Sequence, residues 1–297
     1  MKKWIHAARL RTLPLSVSGI ILGSLIALSE GKWNWWIFIL AFLTTLFLQI
    51  LSNYANDYGD GIKGTDTHRV GERRIVASGE VTPQQMKNAV IIFSVLSALT
   101  ALLLIYISFR ENFIYAALFV FLTFACVWAA IKYTVGKKAY GYAAMGDIFV
   151  FIFFGIISVW GSYTLYEHEN FNTMILLPAA AIGLLSSAVL NLNNMRDMES
   201  DKKSKKLTIP LIIGFQKSKI YQTVLIVLPF ILVSVYLRLT EKNEWHHLLY
   251  LLLMIPAFLF LRTLFATNEQ RLLDKELKKV ALLTLAFSLI LGFSLNF

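Results

Sequence analysis

The chain has 297 residues, of which 57% are hydrophobic, 14% aromatic and 15% charged, and its formal net charge is +10. This composition excludes an ordinary soluble globular protein and indicates a membrane protein with many spans. The basic residues stand in short blocks between apolar runs, so the positive charge does not indicate nucleic-acid binding. The single cysteine, Cys126, cannot form an internal disulfide.

A basic, amphipathic segment, Met1–Thr12, opens the chain, and we interpret its Arg9 and Arg11 as orientation signals. Apolar runs then predict nine membrane spans, at Leu13–Leu28, Trp35 to the Asn56/Asp57 pair, Asn88–Ile107, Phe113–Tyr133, Gly146–Tyr163, Ile175–Leu192, Ile220–Tyr236, Leu248–Leu264 and Val280–Leu295. Polar, basic loops are predicted after the second span, at Gly59–Gln85, and after the sixth, at Arg196–Lys219. Gly19 and Gly23 have the spacing of closely packed membrane helices.

The distribution of charge predicts the orientation of these spans. With nine spans and a cytoplasmic N-terminus, four basic residues fall outside and all the others fall inside; the four are Lys32, Arg110, Arg238 and Lys242. Both basic loops then lie on the cytoplasmic side. We therefore predict an all-α, polytopic membrane protein in the bacterial inner membrane, built as a single domain of residues 1–297. A weak internal repeat of four helices is a further possibility.

Two clusters of carboxylates and amides end the second and sixth spans, at Asn53–Asp60 and Asn193–Asp201. Helical spacing aligns one group of side chains in each cluster: Asn53, Asn56, Asp57 and Asp60 in the first, and Asn193, Asp197 and Asp201 in the second. All of these are hard oxygen donors, which suits Mg²⁺ shared with substrate phosphates. We predict that the two clusters face each other and hold a diphosphate through Mg²⁺.

The basic loops supply the cations that such a polyanion needs. The candidates for diphosphate binding are Lys63, Arg69, Arg73, Arg74, Arg196 and Lys206. No Walker-type glycine loop and no dinucleotide fingerprint is present, so a lipid diphosphate is favoured over a nucleotide. If the lipid tail is allylic, loss of diphosphate leaves a carbocation, which a dry aromatic cavity preserves for a carbon nucleophile.

The residues of these clusters carry a family resemblance. Asn56-Asp57-Tyr58-Gly59-Asp60, with Gly64 and Asp66, and Asn193 to Asp201, with Lys206 and Thr208, resemble the two signatures of the UbiA-type intramembrane prenyltransferases. Arg9 to Pro14 and Tyr140 to Asp147 resemble the branch that prenylates 1,4-dihydroxy-2-naphthoate in menaquinone synthesis. The resemblance spans essentially the whole chain. It implies nine helices around a central cavity and Mg²⁺-dependent transfer of a polyprenyl group to the naphthoate with loss of its carboxylate.

The resemblance also implies roles for individual residues. Asn56 and Asp60 match the metal positions of the first motif, with Asp57 and Asp66 as supporting ligands. Asp197 and Asp201 match those of the second motif, to which the helical stripe adds Asn193. Tyr133 and Lys137 match a Tyr-x-x-x-Lys pattern beside the reacting groups, and Asp147 would position the aromatic acceptor or a basic residue.

Some assignments stay open in the sequence. Lys205 replaces the usual glycine before the motif lysine, which leaves Lys205 and Lys206 as alternatives. Glu72 replaces a usual proline, which leaves Arg73 and Arg74 as alternatives. Tyr133 and Lys137 would also serve as an interfacial anchor pair, and Asp147 as an ion-pair partner of Lys137 or Lys138.

Competing functions also stay open. An acceptor such as 4-hydroxybenzoate would use the same chemistry. A cation-coupled secondary transporter would use intramembrane carboxylates differently, near the bilayer midplane and in broken helices. The position of both clusters at span ends, beside basic loops, favours the enzyme. The Asp-Gly-x-x-Ala-Arg motif of phosphatidyl-type transferases is absent from the sequence.

Overall fold

A computed structural model describes residues 2–9, 12–64, 74–136, 139–169 and 172–297. Within these ranges, eight helices are long and apolar enough to cross a membrane, and Leu13–Ser29 is a shorter apolar helix. The same ranges hold one isolated β-bridge, between Ala143 and Leu207, and no strand. The chain is an all-α, polytopic membrane protein, as predicted.

The helices are numbered here in chain order. They are α1 (Lys2–Ala7), α2 (Leu13–Ser29), α3 (Trp35–Lys63), α4 (Pro83–Ser108), α5 (Phe113–Lys132), α6 (Gly146–Thr164), α7 (Thr173–Arg196), α8 (Met198–Lys203), α9 (Ile209–Ile213), α10 (Phe215–Leu239), α11 (Trp245–Ala266) and α12 (Gln270–Ser294). Eight of the nine predicted spans correspond to the long apolar helices, and Leu13–Leu28 corresponds to the shorter α2. Most helix ends lie beyond the predicted ends, by up to about three turns, because polar and charged residues join the termini.

Helix α3 places the first cluster at the membrane surface. It has 29 residues, whereas about 20 suffice to cross the hydrocarbon core. Trp35 and Trp36 are exposed at its start, where aromatic residues favour the interface. The last turns, which contain Asn56 and Asp60, therefore project beyond the apolar layer. The helix ends at Gly64, whose φ of 68° gives the left-handed cap that glycine adopts without strain.

The predicted boundaries of the two basic loops are wrong. Residues 59–63 belong to α3, and Pro83 begins α4 after a capping box formed by Thr82 and Gln85. The predicted loop from Arg196 to Lys219 contains the short helices α8 and α9 and the start of α10. These helical segments were predicted as loops because a helix that emerges from the membrane carries the same polar residue types as a loop.

Close packing of α2, α6 and α7 fixes one wall of the interior. A Cβ built on Gly19 or Gly23 of α2 would collide with Ser158 or Val159 of α6, as their spacing predicts. A Cβ on Gly155 of α6 would lie 2.5 Å from the Cα of Gly183 in α7. The middle of α6, Phe151–Trp160, is π-helical. Small residues thus hold an irregular helix between two regular ones.

Candidate active site

A cavity of about 350 Å³ lies among α2, α3, α5, α6, α7 and α12. Seven residues of the predicted clusters and site line it: Asn53, Asn56, Asp60, Arg74, Tyr133, Asn193 and Lys206. They come from both clusters, both basic loops and the end of α5, which are far apart in sequence. The structure therefore brings the first and second motifs to one cavity.

Hydrogen bonds from the loop after α5 and the turn before α6 hold the first motif. Tyr142 donates its hydroxyl to Oδ1 of Asp60 at 2.8 Å, and Arg74 Nη2 lies 3.1 Å from Oδ2. Thr134 donates to Oδ1 of Asn56 at 3.1 Å. Lys63 donates to the carbonyl of Thr134 at 2.7 Å, and its Nζ lies 4.0 Å from the centre of the Tyr142 ring. These contacts fix the side chains of Asn56 and Asp60 at the cavity wall.

Asp57 has a different position from its neighbours. Its two carboxylate oxygens accept hydrogen bonds from the backbone N–H groups of Ile75 and Val76, both at 3.1 Å, and the residue is 1% exposed. The carboxylate thereby anchors the returning end of the first basic loop to α3 and places Arg74 beside Asp60. This placement favours a structural role for Asp57 over the predicted role as a supporting metal ligand.

A single buried guanidinium organises the second motif. Arg196 contacts Asp197 through Nε at 2.7 Å and Nη2 at 2.8 Å, and Nη2 also donates to Oδ1 of Asn193 at 2.8 Å. Its Nη1 bonds to Asp274 at the start of the regular part of α12. Arg196 was predicted to bind diphosphate, but the structure places it against the motif itself, where it orients Asn193 and Asp197.

Asp201 of the second motif and Lys206, the lysine predicted to bind diphosphate, lie together. Asp201 is 6% exposed, and Lys206 Nζ lies 3.4 Å from its Oδ1. Lys206 lines the cavity. Lys205 has a backbone φ of 54°, an uncommon conformation for a residue other than glycine. The geometry favours Lys206 over Lys205 as the cation that faces a bound anion.

Aromatic rings form a continuous ladder along the cavity wall. Tyr133 contacts Tyr140 edge to face at 5.3 Å, Tyr140 stacks on Phe149 at 3.9 Å, and Phe149 stacks near Phe153 at 6.0 Å. All four residues line the cavity. Burial raises the pKa of Tyr140, whose hydroxyl donates to the carbonyl of Ala129 at 2.8 Å. The cavity wall is therefore aromatic and neutral at Tyr140, and aromatic rings attract a cation in a dry site.

Other predicted residues lie elsewhere. Asp147 is buried and accepts from the hydroxyl of Tyr221 in α10 at 3.3 Å, so it joins two helices. The pairing of Asp147 with Lys137 or Lys138 falls outside the described residues, as do the remaining calls on Asp66, Arg69, Arg73 and Lys137. Tyr133 itself lines the cavity, as its predicted role requires.

The N-terminal segment supplies cavity residues that sequence reasoning missed. Asn53 donates to the carbonyl of Ala8 at 2.9 Å, and Gln49 donates to the hydroxyl of Thr12 at 3.0 Å. These bonds tie the segment to α3 and bring Arg9, whose φ is 50°, to the cavity. Arg9 was interpreted as an orientation signal. The polar residues Gln49, Asn53 and Asn56 at helical spacing are the sequence signal that was available.

The donor set fits Mg²⁺ that arrives with its substrate. Within the described ranges, no three His, Cys, Asp or Glu side chains form a group that would hold a metal ion. Asn56, Asp60 and Asn193 nevertheless present oxygen donors to one cavity, with Arg74 and Lys206 beside them. Mg²⁺ usually keeps several waters and binds through one or two carboxylates plus substrate phosphates, so a preformed protein cage is not required.

Comparison with known proteins assigns the chain to a family. The model of the UbiA prenyltransferase family matches residues 16–288. The chain belongs to this family. Among characterised relatives, 1,4-dihydroxy-2-naphthoate octaprenyltransferase from Escherichia coli strain K12 is 36% identical over 99% of this chain and 95% of that protein. The protein of the same name from Haemophilus influenzae is 41% identical over 76% of this chain and 74% of that protein.

Solved structures of UbiA homologues share the fold. The apo structure of a homologue from Aeropyrum pernix K1 has a TM-score of 0.71 and 17% identity, and the match covers 96% of this chain and 97% of the other. A homologue from Archaeoglobus fulgidus, solved with DMAPP and Mg²⁺, has a TM-score of 0.64 and 16% identity over 99% of each chain. These likenesses support the helical architecture independently of close sequence similarity.

Proposed function

We propose that this UbiA-family chain, acting as a single domain, transfers a polyprenyl group from polyprenyl diphosphate to 1,4-dihydroxy-2-naphthoate. Diphosphate and CO₂ are released, and the product is demethylmenaquinol. The observation that carries the proposal is the meeting of both Asp/Asn motifs and an aromatic ladder in one cavity. The naphthoate acceptor is supported by the two bacterial relatives of that name, at 36% and 41% identity.

The motifs and the basic residues have different roles in binding the diphosphate. Asn56 and Asp60 on one side, and Asn193, Asp197 and Asp201 on the other, would hold Mg²⁺ with the substrate phosphates. Bound Mg²⁺ neutralises the charge that develops on the leaving diphosphate. Lys206 adds a cation at the cavity wall. Tyr142 and Arg74 already orient Asp60 before the substrate binds, whereas Asp197 must exchange part of its contact with Arg196 for the metal.

The cavity wall then stabilises the carbocation and keeps water away from it. The C–O bond of the allylic diphosphate breaks, and its electron pair leaves with the diphosphate. The aromatic side chains that line the cavity, Tyr140 and Phe149 among them, would stabilise the resulting positive charge while the apolar wall excludes water. The ring carbon of the acceptor that bears the carboxylate forms the new C–C bond. Loss of CO₂ returns the bonding pair to the ring and restores its aromaticity.

The site is placed at the cytoplasmic face of a bacterial inner membrane in this proposal. The supporting observations are the length of α3, which has 29 residues where about 20 cross the hydrocarbon core, and the excess of basic residues in the loops next to both motifs. The soluble acceptor would approach from that side, and the prenyl tail from the bilayer. The family assignment and the position of the motifs at helix ends weigh against the secondary transporter.

An acceptor panel tests the proposal. Membranes that contain the protein are incubated with polyprenyl diphosphate, Mg²⁺ and either 1,4-dihydroxy-2-naphthoate or 4-hydroxybenzoate, and products are identified by mass. We expect a prenylated product with the naphthoate alone. A product from 4-hydroxybenzoate alone would retain the prenyl transfer and overturn the acceptor assignment. No product with any acceptor, together with counterflow of a substrate in liposomes, would favour the transporter.

A further inference from the structure

Arg196 lies between two carboxylates that belong to different parts of the fold. Asp197 is the neighbouring residue in the second motif, and Asp274 begins the regular part of α12. The side chains of Arg196 and Asp197 are each 1% exposed, whereas that of Asp274 is 42% exposed. Of these three side chains, Arg196 and Asp197 are buried and Asp274 reaches solvent.

The contact between Arg196 and Asp197 is strong enough to compete with a metal. Nε and Nη2 of the guanidinium bind the two oxygens of Asp197 separately, at 2.7 and 2.8 Å. Such parallel, charge-assisted bonds are among the strongest polar contacts in proteins. A buried arginine that loses its carboxylate is left with an uncompensated charge, which is costly. For Asp197 to turn its lone pairs toward a cation, Arg196 needs another counter-charge.

Asp274 supplies that counter-charge. It bonds to Nη1, the nitrogen that points away from Asp197 in the fork. It is not part of either motif and comes from the last transmembrane helix. We propose that Asp274 is a positioning residue for the metal site, because it holds Arg196 in place and neutralises it when Asp197 binds Mg²⁺. The inference rests on the proposed function, since it assumes that Asp197 serves as a metal ligand.

The same arrangement explains how α12 contributes to the reaction. Leu277, Lys278 and Ala281 of this helix line the cavity. Through Asp274 and Arg196, the start of the helix is joined to the end of α7, so a displacement of α12 also moves Asn193 and Asp197. The last helix is therefore coupled to the second motif by one guanidinium.

Direct metal binding tests the role of Asp274. A preformed complex of Mn²⁺ and inorganic diphosphate is titrated calorimetrically into the purified, full-length protein, because oxygen ligands that bind Mg²⁺ also accept Mn²⁺. We expect Asp274→Asn to raise the dissociation constant roughly tenfold or more. Asp274→Glu, which keeps the charge, should recover part of the loss. Glu269→Gln is the matched control, because it removes an exposed acid near the same helix start. It should bind as the wild type does.

A double-mutant cycle separates positioning from a general loss of charge or structure. If Asp274 acts through Arg196, Asp274→Asn should change the dissociation constant less than about twofold in an Arg196→Gln background. Thermal unfolding of each purified variant verifies that it is folded.

The outcomes distinguish the inference from the proposed function. A normal dissociation constant in Asp274→Asn, or an equal loss in both backgrounds, would overturn the role of Asp274. Wild-type protein that binds diphosphate equally with Mn²⁺ and with EDTA would instead contradict the metal-dependent reaction itself.

Discussion

Arg74 Nη2 lies 3.1 Å from Oδ2 of Asp60, and both side chains are largely buried. Arg196 and Asp197 form the corresponding buried ion pair in the second motif. In each motif an arginine therefore holds an aspartate that we assign to the metal. Because the arginine controls the orientation of the carboxylate, changes in the contacts around each pair should alter metal use without unfolding the protein.

Removing the hydrogen bond from Tyr142 to Asp60 is one such change. Tyr142→Phe removes the donor at 2.8 Å and keeps the ring. We expect the Mg²⁺ concentration that gives half-maximal activity to rise roughly tenfold, because Asp60 loses a fixed orientation. Steady-state assays over a Mg²⁺ series measure it. Tyr58→Phe, two residues before Asp60 at a half-buried position of the same helix, is the control. An unchanged Mg²⁺ dependence in Tyr142→Phe would show that this hydroxyl does not position the ligand.

The two motifs should be equally indispensable. Asp60→Ala removes a proposed metal ligand from the end of α3, and Asp201→Ala removes one from the short helix α8, while the membrane spans are intact. We expect turnover to fall by at least about 100-fold in each, because charge on the leaving group is no longer neutralised. Membrane fractionation with an immunoblot should find normal insertion. Near-normal activity in both variants would exclude the mechanism that uses two motifs.

Asp57 should behave differently from Asp60. Asp57→Asn replaces one acceptor of the Ile75 and Val76 backbone bonds by an amide donor. We expect a loss of stability of about 1–3 kcal/mol, because a buried backbone N–H loses its partner. Thermal unfolding in detergent measures the loss. The folded variant should retain the wild-type dissociation constant for Mn²⁺–diphosphate. Weaker metal binding with normal stability would restore the predicted role as a ligand.

Lys206 should contribute mainly to binding of the diphosphate. It lines the cavity and contacts Asp201 at 3.4 Å. Lys206→Ala should raise KM for polyprenyl diphosphate more than it lowers kcat, because the cation interacts with the phosphate in the ground state and the transition state alike. Lys205→Ala is the matched control and should have the smaller effect. The reverse order would assign phosphate binding to Lys205.

The contact between Gly155 and Gly183 should govern stability. A Cβ on Gly155 would approach the Gly183 backbone to 2.5 Å, whereas a Cβ on Gly161 would meet its nearest atom at 3.9 Å. We expect Gly155→Ala to destabilise the protein by about 1–3 kcal/mol, because α6 and α7 must separate. Gly161→Ala in the same helix should be tolerated. Thermal unfolding of the two purified variants provides the comparison, and equal stabilities would contradict the packing described.

The sequence predicted the helical fold well because hydropathy and length alone identify membrane spans. Leu13–Leu28 was predicted, and α2 covers Leu13–Ser29. The π-helical turns at Phe151–Trp160 were not predictable, because their residues are uniformly apolar and leave no pattern to read. They matter for the site, since Phe153 reaches the cavity wall from this stretch.

The candidate site was only partly predictable for a similar reason. Oxygen donors at helical spacing indicated Asn56, Asp60 and Asn193, all of which line the cavity. Spacing could not distinguish Asp57, whose carboxylate turns toward the loop, from Asp60 on the same helix. Nor could it pair Arg196 with Asp274, because 78 residues separate the two and their contact depends on how α7 and α12 pack.

The central claim is that both motifs act on one diphosphate whose prenyl group replaces the acceptor carboxylate. Its most direct test uses 1,4-dihydroxy-2-naphthoate labelled with ¹³C in the carboxylate, together with polyprenyl diphosphate, in membranes that contain the protein. With Mg²⁺, under anaerobic conditions, we predict labelled CO₂ in equal amount to an unlabelled product of demethylmenaquinol mass, and neither with EDTA. A prenylated product that retains the label, or a product formed equally in EDTA, would contradict the account.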